Sequence, residues 1–125
     1  MMLVDTWAWI ELFRSSEKGK QIRKIIEKEP VNYTSMISIA EISKWAEKNK
    51  VDKEKIFKEL RKSTTYLELS FGVLSTAGTE YGGIRKISKN IGLIDVIIYT
   101  SALIHDLKLL TGDPDFEGLP NVIFI

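Results

Sequence analysis

The chain is expected to form an α/β fold: a mainly parallel sheet with helices on both faces, in a single domain spanning residues 1–125. Three observations lead there. Short apolar runs alternate with longer stretches of helical periodicity, from MLVD at residue 2 to VIFI at residue 122. Strands separated by helices need crossover connections, which are right-handed and leave successive strands parallel. No repeat, low-complexity tract or linker divides the 125 residues, a length that buries one core but not two.

The elements follow in order. MLVD (2–5) is a short apolar run ending in an acid, a buried strand. Residues 6–13 form a short helix with Trp9, Leu12 and Phe13 as its apolar positions. Ser16 caps a second helix through Glu29, where Ile22, Ile25 and Ile26 recur at helical spacing and Pro30 ends the run. VNYT (31–34) is the second strand, followed by a helix over 36–49 and another, capped by Asp52, to about Lys62. TYLEL (65–69) is the third strand. Residues 73–89 read as helix despite Gly78, Gly82 and Gly83, each of which costs about 1 kcal/mol relative to Ala. A nearly all-apolar helix over 93–106, the strand 107–111, the loop GDPDFEGLP and the strand VIFI complete the chain.

Composition narrows the chemistry. No cysteine is present, which excludes disulfides, zinc–thiolate sites and cysteine nucleophiles, and His105 is the only histidine. The net charge of +1 does not by itself announce a nucleic-acid binder, so any such contact needs a local patch. The start MMLVD enters a strand directly, without the regions of a signal peptide. The longest apolar run falls short of the ~20 residues that cross a bilayer. The expected location is the cytoplasm, with no membrane contact.

Carboxylates remain as the candidate functional groups. In an open parallel sheet, ligands sit outside the carboxyl ends of the strands. Asp5 ends the first strand; Asp113 and Asp115 follow the fourth. Glu41 shares a helical stripe with Ile37 and Trp45, beside the apolar Ile39, Ile42 and Ala46. Asp95 lies in GLIDVIIYTSALI (92–104), with Ile98, Tyr99 and Ala102 on its own face. Each acid also has an ordinary structural reading. Asp5 suits a helix N-cap, Asp95 the positive end of a helix dipole, Glu41 a surface pair with Lys44, and Asp113 and Asp115 a turn. If the four segments converge, two carboxylates about 5 Å apart repel by about 3 kcal/mol at an effective dielectric near 20. Such a cluster binds a divalent cation or holds protons. Hard oxygen donors favour Mg²⁺ or Mn²⁺, and the associated chemistry is phosphoryl transfer or phosphodiester cleavage.

Four segments together resemble the PIN-domain ribonucleases: MLVDTWAWIELF, TSMISIAEI, GLIDVIIYTSAL and LKLLTGDPDF, in family order along essentially the whole chain. Their size and style are most similar to the VapC-type toxins of toxin–antitoxin pairs. The resemblance implies a three-layer α/β/α sandwich and a single-strand-directed endoribonuclease that uses Mg²⁺ or Mn²⁺. It implies an acidic pocket of Asp5, Glu41, Asp95 and Asp113, with Asp115 as an outer metal ligand. Thr6 and Thr111 match hydroxyl positions that orient carboxylates or water. It implies an RNA substrate, an antitoxin partner and a homodimer. Tyr99 departs from the family pattern, which has Ala there, and is expected to narrow the pocket or to stack on a base.

An acidic pocket repels RNA unless basic groups flank it. Arg14, Arg85 and Lys86 are the main candidates, with Lys18, Lys20 and Lys89 further ones. The charge-rich stretch 44–62 reads as a pair of solvated helices, and the three tryptophans as packing residues or a docking surface. His105 suits a helix C-terminus and is assigned no catalysis. Two alternatives stay open at this stage: a non-catalytic module for RNA or protein binding, and a housekeeping RNA-processing nuclease. A phospho-accepting receiver domain is disfavoured, because VNYT and TYLEL end in no aspartate.

Overall fold

Met2, Leu3 and Val4 are each at most 2% exposed, as expected of a central strand covered on both faces. The computed structural model describes all of residues 1–125. This strand, β1 (Met2–Val4), leads into α1 (Thr6–Phe13) and α2 (Glu17–Lys28). Then come β2 (Asn32–Ser35), α3 (Met36–Lys48), α4 (Lys53–Ser63) and β3 (Thr65–Leu67). The chain continues through α5 (Phe71–Ile87), α6 (Leu93–Ile104) and β4 (Lys108–Thr111). A short 3-10 turn (Pro114–Phe116) precedes β5 (Val122–Phe124). The sheet order is β3-β2-β1-β4-β5, and every pairing is parallel.

Alternation along the strands divides the core into two layers. Met2, Val4 and Leu110 pack with Ala8, Ile22, Ile42 and Leu60 under α1 to α4. Leu3 and Leu109 pack with Val96, Ile98, Ala102 and Phe116 under α5 and α6. The expected sandwich of helices on both faces is thus present. Trp9 is 1% exposed, and its indole N–H donates to Thr34 Oγ1 at 2.8 Å, which ties α1 to β2 without leaving a buried donor unpaired. The α1–α2 corner depends on Gly19: any Cβ there would overlap the main-chain carbonyl of Glu11, so only glycine allows this approach.

Element ends differ from the sequence expectation by one to three residues. β2 runs one residue later, β3 stops at Leu67, and α6 ends at Ile104, with His105 as its C-cap. α5 begins at Phe71 because the Ser70 hydroxyl accepts from the Val73 amide at 3.1 Å. Three of its four glycines, at 78, 82 and 83, face open space, while Val73 and Ala77 carry the buried stripe. The stripe holds the helix against α6 and outweighs the low propensity of the glycines.

Candidate functional site

From β1 the chain moves outward to β2 and β3, then returns to β4 on the opposite side. The crevice between the carboxyl ends of β1 and β4 is therefore the switch point of the sheet, where ligands bind in open α/β folds. Asp5 follows the first of those strand ends directly, and Asp113 follows the second after one glycine.

Asp5 occupies the N-cap position of α1, yet its side chain makes no capping bond. It is 2% exposed, and its Oδ2 accepts from Thr111 Oγ1 at 2.8 Å. The same Thr111 oxygen accepts from the Asp113 amide at 3.1 Å, so one hydroxyl positions two of the acids. Thr6 Oγ1 donates to Glu41 Oε1 at 2.6 Å and lies 2.8 Å from Ser38 Oγ. Thr6 has a single hydroxyl proton and the carboxylate can only accept, so Ser38 completes the relay as the donor to Thr6. Glu41 makes no pair with Lys44; none of the five acids takes part in an ion pair. Asp113 does keep a turn role, since its Oδ1 accepts from the Asp115 amide at 3.0 Å. Ligand oxygens of Asp95, Asp113 and Asp115 lie within 4.8 Å of one another.

Electrostatics joins these groups into one site. Burial pushes the Asp5 carboxyl up to about 7; the Thr111 hydrogen bond opposes the rise, and the charges of Asp95, Glu41 and Asp113 add to it. Burial also raises Asp95 to about 6, reinforced by Asp113, Glu41 and Asp115 and eased by a backbone hydrogen bond at Gly92. Asp95, Glu41 and Asp113 thus act on Asp5, and Asp113, Glu41 and Asp115 on Asp95. Crowded hard oxygens without a protein counter-charge fit a divalent cation such as Mg²⁺ or Mn²⁺.

The remaining candidates divide. Ser88 Oγ donates to the Asp115 carbonyl at 2.6 Å, which ties the end of α5 to the loop that carries Asp115; Arg85 and Lys86, in the last turn of α5, are exposed. Arg85 lies over the Tyr81 ring at 5.5 Å and donates to the Lys89 carbonyl at 2.6 Å. Arg14 is at the far end of α1, about 13 Å from Asp5 along the helix, and pairs with Glu11 at 3.2 Å. It is not brought to the pocket. Tyr99 corrects the expectation: it is 3% exposed and its hydroxyl donates to the Pro120 carbonyl at 2.8 Å, so it neither narrows the pocket nor faces a base. His105 stays at the C-cap, with Nδ1 2.9 Å from the Ser101 carbonyl.

Two positions escaped the sequence reading. Ser38 is fully buried behind Thr6, and an ordinary helix serine gives no signal of that. Gly112 lies between Thr111 and Asp113, where a Cβ would overlap the Trp7 ring and approach the Ile125 carbonyl to 2.8 Å. Its place between the threonine and the aspartate was the available clue.

A family model described as PIN domain matches residues 2–121. No curated protein matches the sequence. Among solved structures, the chain is similar to one in a toxin–antitoxin complex from Klebsiella pneumoniae, with a TM-score of 0.73 and 26% identity over 98% of this chain and 96% of that one. It is similar to a chain of VapBC2 from Rickettsia felis bound to a DNA fragment from their promoter, with a TM-score of 0.73 and 19% identity over 99% and 96% of the two chains. It also resembles a chain of FitAB bound to the IR36 DNA fragment, with a TM-score of 0.72 and 19% identity over 90% and 85%. The last two likenesses concern the fold.

Proposed function

This chain belongs to the PIN-domain family, a family of nucleases, and from that premise we propose that it is a Mg²⁺- or Mn²⁺-dependent endoribonuclease. The observation that carries the proposal is the Asp5 carboxyl, buried at the switch point, bonded to Thr111 and facing Asp95, Glu41 and Asp113 with no cation of the protein to balance them.

In this reading Asp5, Glu41, Asp95 and Asp113 form the catalytic pocket and hold the cation, with Asp115 at its outer side. Thr111 fixes the rotamer of Asp5, and Thr6 with Ser38 fixes that of Glu41, so donor oxygens are in place before substrate arrives. A divalent cation held by these carboxylates would favour their ionised form and so offset the effect of their burial. The bound cation supplies Lewis acidity towards water and the phosphodiester. Arg85 and Lys86 offset the repulsion between the acids and the RNA backbone.

The chain acts as the toxin of a pair, in the cytoplasm and under the control of an antitoxin; the Klebsiella pneumoniae complex, a toxin–antitoxin assembly of similar fold, supports this role. A homodimer is supported by the exposed apolar side chains Ile87, Leu103 and Ile104 at the α5–α6 edge. No helix is long and apolar enough to cross a membrane.

The test is incubation of the chain with total cellular RNA in Mg²⁺ or Mn²⁺, then with chelator, alongside Asp95→Asn. Cuts that need the metal and vanish in the variant are expected. Cleavage that persists in chelator, or in Asp95→Asn, would overturn the site assignment.

A further inference from the structure

Beside the acids, α1, α3 and the first turn of α6 enclose a cleft of about 410 Å³. This lies within the usual range for ligand sites, about 300–1,000 Å³. Its walls are Ile10, Ala40, Trp45 and Ile94. Thr6 and Glu41 line it too, so it opens directly onto the catalytic pocket. Lys44 and Lys48 stand one helical turn apart on its rim, both exposed and neither in an ion pair. Ile94, 44% exposed, immediately precedes Asp95. Phe13 covers one side of Trp45, with ring centroids 6.5 Å apart, and holds the indole in place.

We propose that this cleft seats the nucleotide next to the cleaved phosphate of a single-stranded RNA, its base against the apolar walls and its phosphate between Lys44 and Lys48. The inference rests on the nuclease reading and adds to it where the substrate lies. Two observations favour RNA as the occupant. The cleft is continuous with the carboxylates, so a strand leaving the scissile phosphate enters it without a gap. Its rim also carries the unpaired positive charge that a phosphate requires. A single-stranded substrate fits because its bases are free to turn out and meet a side-chain wall.

The experiment uses the full chain and a labelled single-stranded RNA of random sequence. Binding is read by fluorescence anisotropy in Mg²⁺ on the Asp95→Asn background, and KM and kcat are read with Asp95 intact. Ala40→Phe fills the cleft from an exposed helical position and should weaken binding about tenfold, the loss of one stacked base. It should raise KM while leaving kcat nearly unchanged. Lys44→Gln with Lys48→Gln should flatten the dependence of log affinity on log salt by about 0.7, the contribution of the one phosphate no longer neutralised. The lysines are surface groups, so this arm survives even if Ala40→Phe folds poorly. If both variants bind and cleave RNA as their parents do, the inference is overturned; the cleft is then a peptide or solvent surface, and the nuclease reading stands. If the parent neither cleaves nor binds RNA, the nuclease reading falls and the inference with it.

Discussion

Replacing Asp5 with Asn should stabilise the metal-free protein at neutral pH while abolishing cleavage. Folding raises the Asp5 carboxyl from 3.8 to about 7. A group held above its unfolded value gives its full stability below the unfolded pKa and loses it as pH climbs through the folded one. For Asp5 that window runs from about pH 4 to about pH 7. At about 1.4 kcal/mol for each tenfold change in acidity, ionised Asp5 costs the fold about 4 kcal/mol above the window. That is a large share of the roughly 5–15 kcal/mol that holds a domain together. Asn keeps the size of the side chain and an oxygen to accept from Thr111, and its amide can donate to the neighbouring acids. The assay is urea unfolding of both proteins in chelator at about pH 5 and about pH 8. The parent should lose several kcal/mol between the two conditions, and Asn should lose much less. Asp95, raised to about 6 and only partly buried, leaves a smaller residual slope in the variant. Mg²⁺ should restore stability to the parent at the higher pH and do little for the variant. A parent whose stability holds level or rises across this window, or an Asn variant weaker than the parent at the higher pH, would refute the reasoning.

Other consequences follow from neighbouring contacts. Thr111→Val keeps the shape but removes the donor to Asp5 and the acceptor for the Asp113 amide; Mn²⁺ titration should show affinity lower by about 10–100-fold. Asp115→Asn should also weaken Mn²⁺ binding, yet leave the pH dependence carried by Asp5 intact, because Asp115 is not among the charges that lift it. Calorimetry at two pH values with a metal titration separates these effects. Gly112→Ala should destabilise by about 1–3 kcal/mol, since the new methyl meets the Trp7 ring; adding Trp7→Leu should recover part of the loss in a double-mutant cycle.

The alternation of short apolar runs with helical stripes determined the layers and the parallel sheet, because strand and helix periodicities are local properties of the chain. Residue types at strand ends also marked Asp5 and Asp113, and an acid on an apolar face marked Asp95. Caps were legible for the same reason: Ser16 and Asp52 accept from amides two or three residues ahead of them, at Gly19 and Glu54. Asp5 shows where local reading stops. It sits at an N-cap position, but its bond goes to Thr111, 106 residues away in sequence. Tyr99 shares a helical face with Asp95, yet its ring is drawn to Pro120 and away from the acids. Ser38 and Gly112 matter only because Thr6 and Trp7 close over them. Lys44 and Lys48, part of an apparently solvated stretch, acquire a cleft only once α3 docks beside α1 and α6. Each of these outcomes depends on distance between remote segments, which packing sets and periodicity does not encode. The raised Asp5 carboxyl belongs with them, because burial by the rest of the fold is its largest cause and no local sequence carries that burial.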